Sequence, residues 1–216
     1  LDLYLFDLQT KTLTQLTSDV YADYDPEWSP DGREIAWVTD RFSSNVQTLD
    51  FGNYRIGAID VRTKAMRPLA GFEKGRNTNP EFSSDGRALY FVATPDGVPN
   101  VYRMDRSTGR TARVTNVLSG ISGITPLTPA LSVAAAAPEM VFTVFEDNKY
   151  DIYATDNPAQ VTTTAAQLDR DGAVLPPNPR RTSEVAQFLS SPTRGLPPPT
   201  QFASQQPQTE QHLAGH

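Results

Sequence analysis

Hydrophobic and polar residues alternate along the first 156 residues in short runs that end at turn residues. Alternation over four to eight positions is typical of half-buried antiparallel strands. The run DPEWSPDGREIAWVTDR, residues 25–41, therefore predicts a strand, a tight turn and a second strand. It recurs as NPEFSSDGRALYFVATPDG at 79–97, offset by 54 residues. A third copy at 128–148 keeps the proline and the following serine but lacks the Asp-Gly turn.

A second motif alternates with the first. Each copy is an alternating strand that ends in Asp, followed by a polar turn and a further strand. The copies are LYLFDLQTKTLTQLT at 3–17, IGAIDVRTKAMRPLA at 56–70, VYRMDRSTGRTARVT at 101–115 and a partial DIYATDNPAQ at 151–160. One full cycle thus holds four strands. The length difference between the first two cycles falls in or near RFSSNVQTLDFGN, residues 41–53, and predicts a longer loop there.

Four antiparallel strands in each cycle of about 40 residues are typical of a β-propeller blade. We predict an all-β fold, a partial β-propeller of about three four-stranded antiparallel blades that spans residues 1–156. The Asp-Gly turns supply the positive φ that a tight hairpin needs. The recurring prolines are expected at the first position of their strands, namely Pro26, Pro80 and Pro129. Four aromatic residues are expected to pack blade against blade, namely Trp28, Phe82, Trp37 and Phe91.

The pattern stops at about residue 157. Residues 157–216 hold half of the 18 prolines, PPNP and PPP runs and a Gln-rich end. Such a composition buries too little apolar surface to offset the entropy of ordering the chain. We expect a mostly disordered Pro/Gln-rich linker or tail. At most it contains a short helix at 182–191, which would end at Pro192.

The composition argues against several classes of function. A net charge of −6, a pI near 4.9 and the lack of a basic run argue against nucleic acid as a partner. The sequence has no run of 18 apolar residues, which a membrane-spanning helix would need. Its first residues do not have the pattern of a signal peptide. Without cysteine there is neither disulfide nor thiolate chemistry, so that cysteine usage does not indicate a compartment.

The sequence offers few residues that could carry out catalysis. The two histidines, His212 and His216, lie in the predicted tail, and the sequence GISGI at 120–124 does not fit G-x-S-x-G. There is no glycine loop of the kind that binds phosphate. We therefore predict a chain that is not an enzyme, without catalytic residues and without a cofactor.

One acidic strand carries side chains of the type that bind metal ions. Asp23, Asp25 and Glu27 alternate, so that in a regular strand their carboxylates would share one face and offer hard oxygen ligands to calcium. Calcium sites usually take their ligands from a curved loop, which favours a solvated or channel-facing strand edge instead. No metal site is predicted.

The residue before each recurring proline is small and polar: Asp25, Asn79 and Thr128. In a propeller, the equivalent positions of successive blades lie at the same end of the central channel. They are our candidate ligand-binding residues, as a ring of hydrogen-bonding groups for a peptide or loop. Residues of these types also cap turns before proline, and that alternative stays open.

The segment WSPDGREIAWVTDR, preceded by DPE and flanked by LYLFDLQTKTLTQLT, resembles the WD-repeat-like propeller repeats of the bacterial TolB family, over roughly residues 1–156. The same repeats occur in periplasmic TolB, in propellers that cap prolyl-oligopeptidase-like serine peptidases, and in large bacterial envelope proteins. With SEVAQFLSSPTRGLPPPTQF at 183–202, the chain most resembles the envelope type, in which a propeller precedes a Pro-rich linker and an outer-membrane surface-antigen barrel.

This resemblance implies a non-catalytic protein-binding or scaffold propeller of a bacterial cell-envelope protein. The resemblance implies a protein or peptide partner, a location in the periplasm or at the outer membrane, and a fused outer-membrane barrel beyond this chain as one possible arrangement. The alternative is a substrate-gating propeller whose prolyl-oligopeptidase-like catalytic domain lies outside the chain. Because a propeller closes from about four to eight blades, we expect further blades before Leu1.

Overall fold

The computed structural model describes residues 1–125, 128–156, 158–159 and 163–164, and within them the chain forms strands, turns and loops. The predicted all-β fold is confirmed. No helix in these ranges has the length and apolar character needed to cross a membrane. The predicted tail, with its short helix at 182–191, lies outside the described residues.

The strands of the described residues form four antiparallel sheets. An N-terminal hairpin consists of β1 (Tyr4–Phe6) and β2 (Leu13–Gln15). The first blade consists of β3 (Asp23–Trp28), β4 (Glu34–Thr39), β5 (Arg55–Asp60) and β6 (Met66–Ala70). The second blade consists of β7 (Asn77–Phe82), β8 (Ala88–Ala93), β9 (Asn100–Asp105) and β10 (Thr111–Arg113). The third blade consists of β11 (Leu131–Val133), β12 (Glu139–Glu146) and β13 (Lys149–Asp156). This row of sheets confirms the partial propeller.

A short additional strand differs from the expectation of four strands in every blade. β14 (Thr163–Thr164) pairs with β10, so the second blade has five strands, and the third has three within the described part of the chain. The outer edge of β10 presents backbone groups that lack a neighbour within its own blade, and an extended segment satisfies them by pairing there.

The Asp-Gly turns are built in the same way in the first two blades. The Ser29 hydroxyl donates to Asp31 at 2.7 Å, and the Ser83 hydroxyl donates to Asp85 at 2.6 Å. Each serine oxygen also accepts the backbone N–H five residues later, at 2.9 Å. The glycines that follow, Gly32 and Gly86, both have φ of +68°, which confirms the conformation expected of the motif.

The recurring prolines occupy other places than predicted. Pro26 and Pro80 lie inside β3 and β7, at a β-bulge, and Pro129 lies two residues before β11. The preceding residues have positive φ, 55° at Asp25 and 49° at Asn79. A bulge already interrupts the ladder, so a residue without an N–H costs no further hydrogen bond there.

The longer loop predicted at 41–53 is confirmed between β4 and β5. It is held by an isolated bridge between Asn45 and Asp50, whose backbone groups exchange hydrogen bonds of 2.7 and 3.0 Å. The added residues of the first cycle are thus placed at the periphery of the blade without changing its register.

Apolar side chains fill the spaces between successive sheets. Three clusters lie, in turn, between the hairpin and the first blade, between the first and second blades, and between the second and third blades. Burial of this kind is the main favourable contribution to folding. Each blade is therefore held chiefly by its neighbours, as in other repeat folds.

Three of the four predicted packing aromatics are buried, and one is not. Trp37 and Phe91 are fully buried, and Phe82 is 4% exposed. Trp28 is 44% exposed, so its predicted burial is wrong. Its repeat equivalent, Phe82, packs against β4 and β5 of the preceding blade. Trp28 has only the two-stranded hairpin in front of its blade, and the hairpin packs over Trp37 instead.

Candidate functional site

Two of the three candidate ligand-binding residues contact each other across a blade interface. The Asp25 carboxylate accepts a hydrogen bond from the Asn79 side-chain amide at 2.6 Å and another from the Asn79 backbone N–H at 2.9 Å. Asp25 belongs to the innermost strand of the first blade, and Asn79 to that of the second. Each of the two blades has a bulge at this position, and the residue there has positive φ.

The chain of hydrogen bonds continues to the third blade, although not through Thr128. The Asn79 side-chain oxygen accepts the backbone N–H of Ala130 at 3.0 Å. Thr128 bonds locally instead, since its hydroxyl lies 2.7 Å from that of Thr125 and its backbone N–H donates to the Thr125 carbonyl at 3.0 Å. The three residues thus do not form one ring of free groups, and their binding of a ligand stays a prediction.

A cleft of about 340 Å³ opens between the second and third blades. This volume lies within the range of small-ligand pockets. Asn79 and Thr128 both line it. The other described lining residues are Arg76, Thr78, Val92, Thr94, Pro99, Ile121, Ser122, Gly123, Ile124, Thr125, Ala130 and Tyr150.

One wall of the cleft is the loop between β10 and β11, which backbone hydrogen bonds hold to both blades. Ile121 donates to the Pro99 carbonyl of the second blade at 2.7 Å. Ser122 donates to the Thr143 carbonyl of the third blade at 3.1 Å, and the Thr143 hydroxyl donates back to the Ser122 carbonyl at 2.7 Å. The cleft is therefore preformed on this side. At its surface, Ile124 is 72% exposed and Tyr150 is 39% exposed.

Arg76, at the start of the second blade, also lines the cleft. Its guanidinium carbon lies 5.9 Å from the centre of the Tyr54 ring, and Tyr54 in turn meets Tyr24 edge to face at 5.2 Å. Burial and then Tyr54 raise the pKa of the Tyr24 phenol above its ordinary value. Within the described residues Arg76 forms no ion pair with a carboxylate.

Three carboxyl groups gather on the innermost strands of the first two blades. Burial raises the pKa of Asp25, with the bonds from Asn79 acting in the opposite direction. Burial and then Asp25 raise the pKa of Glu27. Burial, then Glu27 and more weakly Asp25, raise the pKa of Glu81 to about 8, against a hydrogen bond from the backbone of Val133. Glu81 is thus mostly protonated at neutral pH.

The carboxylates of Asp23, Asp25 and Glu27 do not share one face of the strand as a regular strand would require. The bulge at Asp25 interrupts β3, and Asp23 points elsewhere: it is buried and accepts a hydrogen bond from the Trp37 indole at 2.7 Å. Within the described residues, carboxylate oxygens of Asp2, Asp19 and Asp23 come within 4.8 Å of one another. The Arg41 guanidinium contacts both Asp19 and Asp23, and so supplies the positive charge that this acidic group needs.

Sequence reasoning missed Arg76, Ile124 and Tyr150. Comparison of the repeats gives no signal for Arg76, because the position 54 residues earlier is Ala22. Ile124 belongs to a loop outside both motifs. Glu81 was also missed, although the sequence carries a signal for it, since Glu27 and Glu81 both follow the motif proline directly.

Comparisons with known proteins support the fold. The chain matches solved structures of the β-propeller class over nearly three quarters of its length. TolB from Acinetobacter baumannii matches with a TM-score of 0.56 at 22% identity, over 72% of this chain and 35% of that one. A putative TolB from Agrobacterium tumefaciens matches with a TM-score of 0.58 at 19% identity, over 73% of this chain and 53% of that one.

A structure from a study of two prolyl endopeptidases matches with a TM-score of 0.51 at 13% identity, over 72% of this chain and 24% of that one. This chain spans between a third and about half of the length of the two TolB structures. No protein-family model and no curated protein matches it. The resemblance to TolB-type repeats is confirmed at the level of the propeller fold.

Proposed function

We propose that this chain is a non-catalytic protein-binding or scaffold module of a bacterial cell-envelope protein, located in the periplasm or at the outer membrane. Its binding site is the cleft between the second and third blades, and its ligand is an extended segment of a protein partner. Residues 157–216 form a linker or tail in this proposal. The fold and the repeat motifs support the envelope location by resemblance to TolB, and the cleft supports the binding role.

The observation that carries the binding role is the combination of a preformed wall with exposed apolar groups. Ile124 and Tyr150 present apolar surface to solvent beside the hydroxyls of Thr125 and Thr128 and the amide-bearing Asn79. Apolar surface with a few polar groups around it is typical of sites that bind peptides and small ligands. A wall fixed by hydrogen bonds to two blades loses little entropy when a ligand binds.

A peptide selection tests this proposal. A phage library of random dodecapeptides is selected on the chain, and the enriched peptides are measured on two variants, Ile124→Asp and Leu49→Asp. Leu49 is a matched control because it is 71% exposed and does not line the cleft. We expect Ile124→Asp to weaken binding at least tenfold and Leu49→Asp to leave it unchanged. Failure to enrich any peptide, or equal binding to both variants, would overturn the proposal.

The second candidate function is a substrate-gating propeller of a prolyl-oligopeptidase-like serine peptidase. The match to a prolyl endopeptidase structure supports the shared propeller fold of this candidate. The coding sequence on both sides of residues 1–216 separates the two candidates. An adjoining hydrolase domain with a Ser-His-Asp set favours the gate, whereas further propeller repeats with an export signal favour the envelope module.

A further inference from the structure

The charge of the cleft is opposite to that of the chain. The chain carries a net charge of −6, but the described residues that line the cleft include one arginine and no carboxylate. From this local charge and the geometry of Arg76, we propose that the cleft selects acidic peptides, and that Arg76 binds a carboxylate of an Asp or Glu side chain in the bound segment. This inference rests on the peptide-binding role proposed above and names its ligand class.

Arg76 is held in position for this role. Its backbone N–H donates to the Thr94 hydroxyl at 2.9 Å, and its carbonyl accepts the Thr94 backbone N–H at 3.1 Å. The preceding Gly75 has φ of +79°, and a Cβ there would lie 2.1 Å from the Thr94 carbonyl oxygen, so only glycine permits this approach. The strand end that carries Arg76 is therefore fixed against the end of β8.

Within the part of the chain that the structure describes, no carboxylate forms an ion pair with the Arg76 guanidinium. The guanidinium carbon lies 5.9 Å from the centre of the Tyr54 ring, within cation–π range, and among the described residues no hydrogen bond or ion pair engages its side-chain N–H donors. Two partly buried arginines elsewhere are already paired with acids, Arg41 with Asp19 and Arg113 with Asp96. A guanidinium with unpaired in-plane donors matches the two oxygens of a carboxylate.

The binding energy follows from the surroundings. A charge-assisted hydrogen bond at an exposed rim contributes modestly, and more when an apolar side chain beside it excludes water. The apolar surface of Ile124 and Tyr150 lies in the same cleft as Arg76. We therefore expect a bound segment to combine an acidic residue with an apolar one.

The test uses peptide pairs and matched arginine variants. Each peptide enriched on the wild-type chain is made with its acidic residues and with those residues changed to Asn or Gln, and fluorescence anisotropy gives the affinities. The variants are Arg76→Gln and Arg110→Gln, both of which remove one positive charge. Arg110 is exposed and does not line the cleft. Binding is measured at low and high salt, because an exposed ion pair weakens with ionic strength.

We expect the amide form of a peptide to bind the wild-type chain about tenfold more weakly than the acidic form. Arg76→Gln should abolish this difference and the salt dependence, whereas Arg110→Gln should keep both. Enriched peptides without acidic residues, or a preference that survives in Arg76→Gln, would overturn the inference while the peptide-binding role stands. If no peptide binds in an Ile124-dependent way, the proposed function itself fails.

Discussion

The side-chain amide of Asn79, in the second blade, donates a hydrogen bond of 2.6 Å to the carboxylate of Asp25, in the first blade. Both residues stand before a motif proline, in a bulge with positive φ. Asn79 also accepts the N–H of Ala130, directly before β11, so that one side chain links the inner strands of the first two blades to the start of the third. A repeated sequence position is thus used to fasten neighbouring repeats together.

A double-mutant cycle measures this bond. We use Asp25→Gly and Asn79→Gly, because glycine accepts positive φ and so removes the side chain without backbone strain. Each single variant should lower the free energy of unfolding, and the pair should show a coupling energy of about 1 kcal/mol. Urea denaturation gives the values. Additive effects of the two substitutions would contradict a direct bond.

The Glu81 carboxyl predicts a pH dependence of stability. Its pKa in the folded chain is about 8, above the usual value of 4.5, because of burial, Glu27 and Asp25. Between these two values the folded state binds more protons than the unfolded state, so the free energy of unfolding falls as pH rises from about 4.5 to 8. Below that window Glu81 is protonated in both states and contributes no pH dependence.

Glu81→Gln should therefore gain stability over the wild type as pH rises from 5 to 8, with little difference at pH 5. Denaturation in urea at pH 5, 6.5 and 8 checks this. Glu73→Gln is the control, because Glu73 is exposed. Parallel pH profiles for wild type and Glu81→Gln would refute the prediction.

The two tryptophans allow one substitution to be compared in two environments. Trp37 is fully buried and donates its indole N–H to the buried Asp23 at 2.7 Å, whereas Trp28 is 44% exposed. Trp37→Phe should cost about 1–3 kcal/mol, because it leaves a buried carboxylate with one hydrogen bond fewer. Trp28→Phe should stay within about 0.5 kcal/mol of the wild type. Equal losses in thermal or urea unfolding would contradict the structure.

Much of the fold is predictable from local chemistry. The offset of 54 residues, the alternation and the Asp-Gly turns fix strands and hairpins, since each turn needs its own residue types and is closed by bonds within a few residues. Gly32 and Gly86 have the same φ for this reason. The exposure of Trp28 was not predictable in this way, because it depends on what packs in front of the first blade.

The candidate site was predictable only in part. The sequence position before a motif proline identified Asp25 and Asn79 as candidates. It did not predict that their side chains bond to each other, because that contact depends on how two blades pack together. The cleft wall around Ile124 comes from a loop outside both repeated motifs. Arg76 has no counterpart in the first blade, so only the folded arrangement relates it to that wall.

The most direct test of the account is hydrogen–deuterium exchange of the chain with and without a peptide enriched in the selection. Slower exchange on binding in the segments 76–79 and 121–125, with the 41–53 loop unchanged, is the predicted result. Both segments line the cleft, one from the second blade and one from the loop between the blades. Protection confined to other segments, or none in these two at saturating peptide, would contradict binding in the cleft.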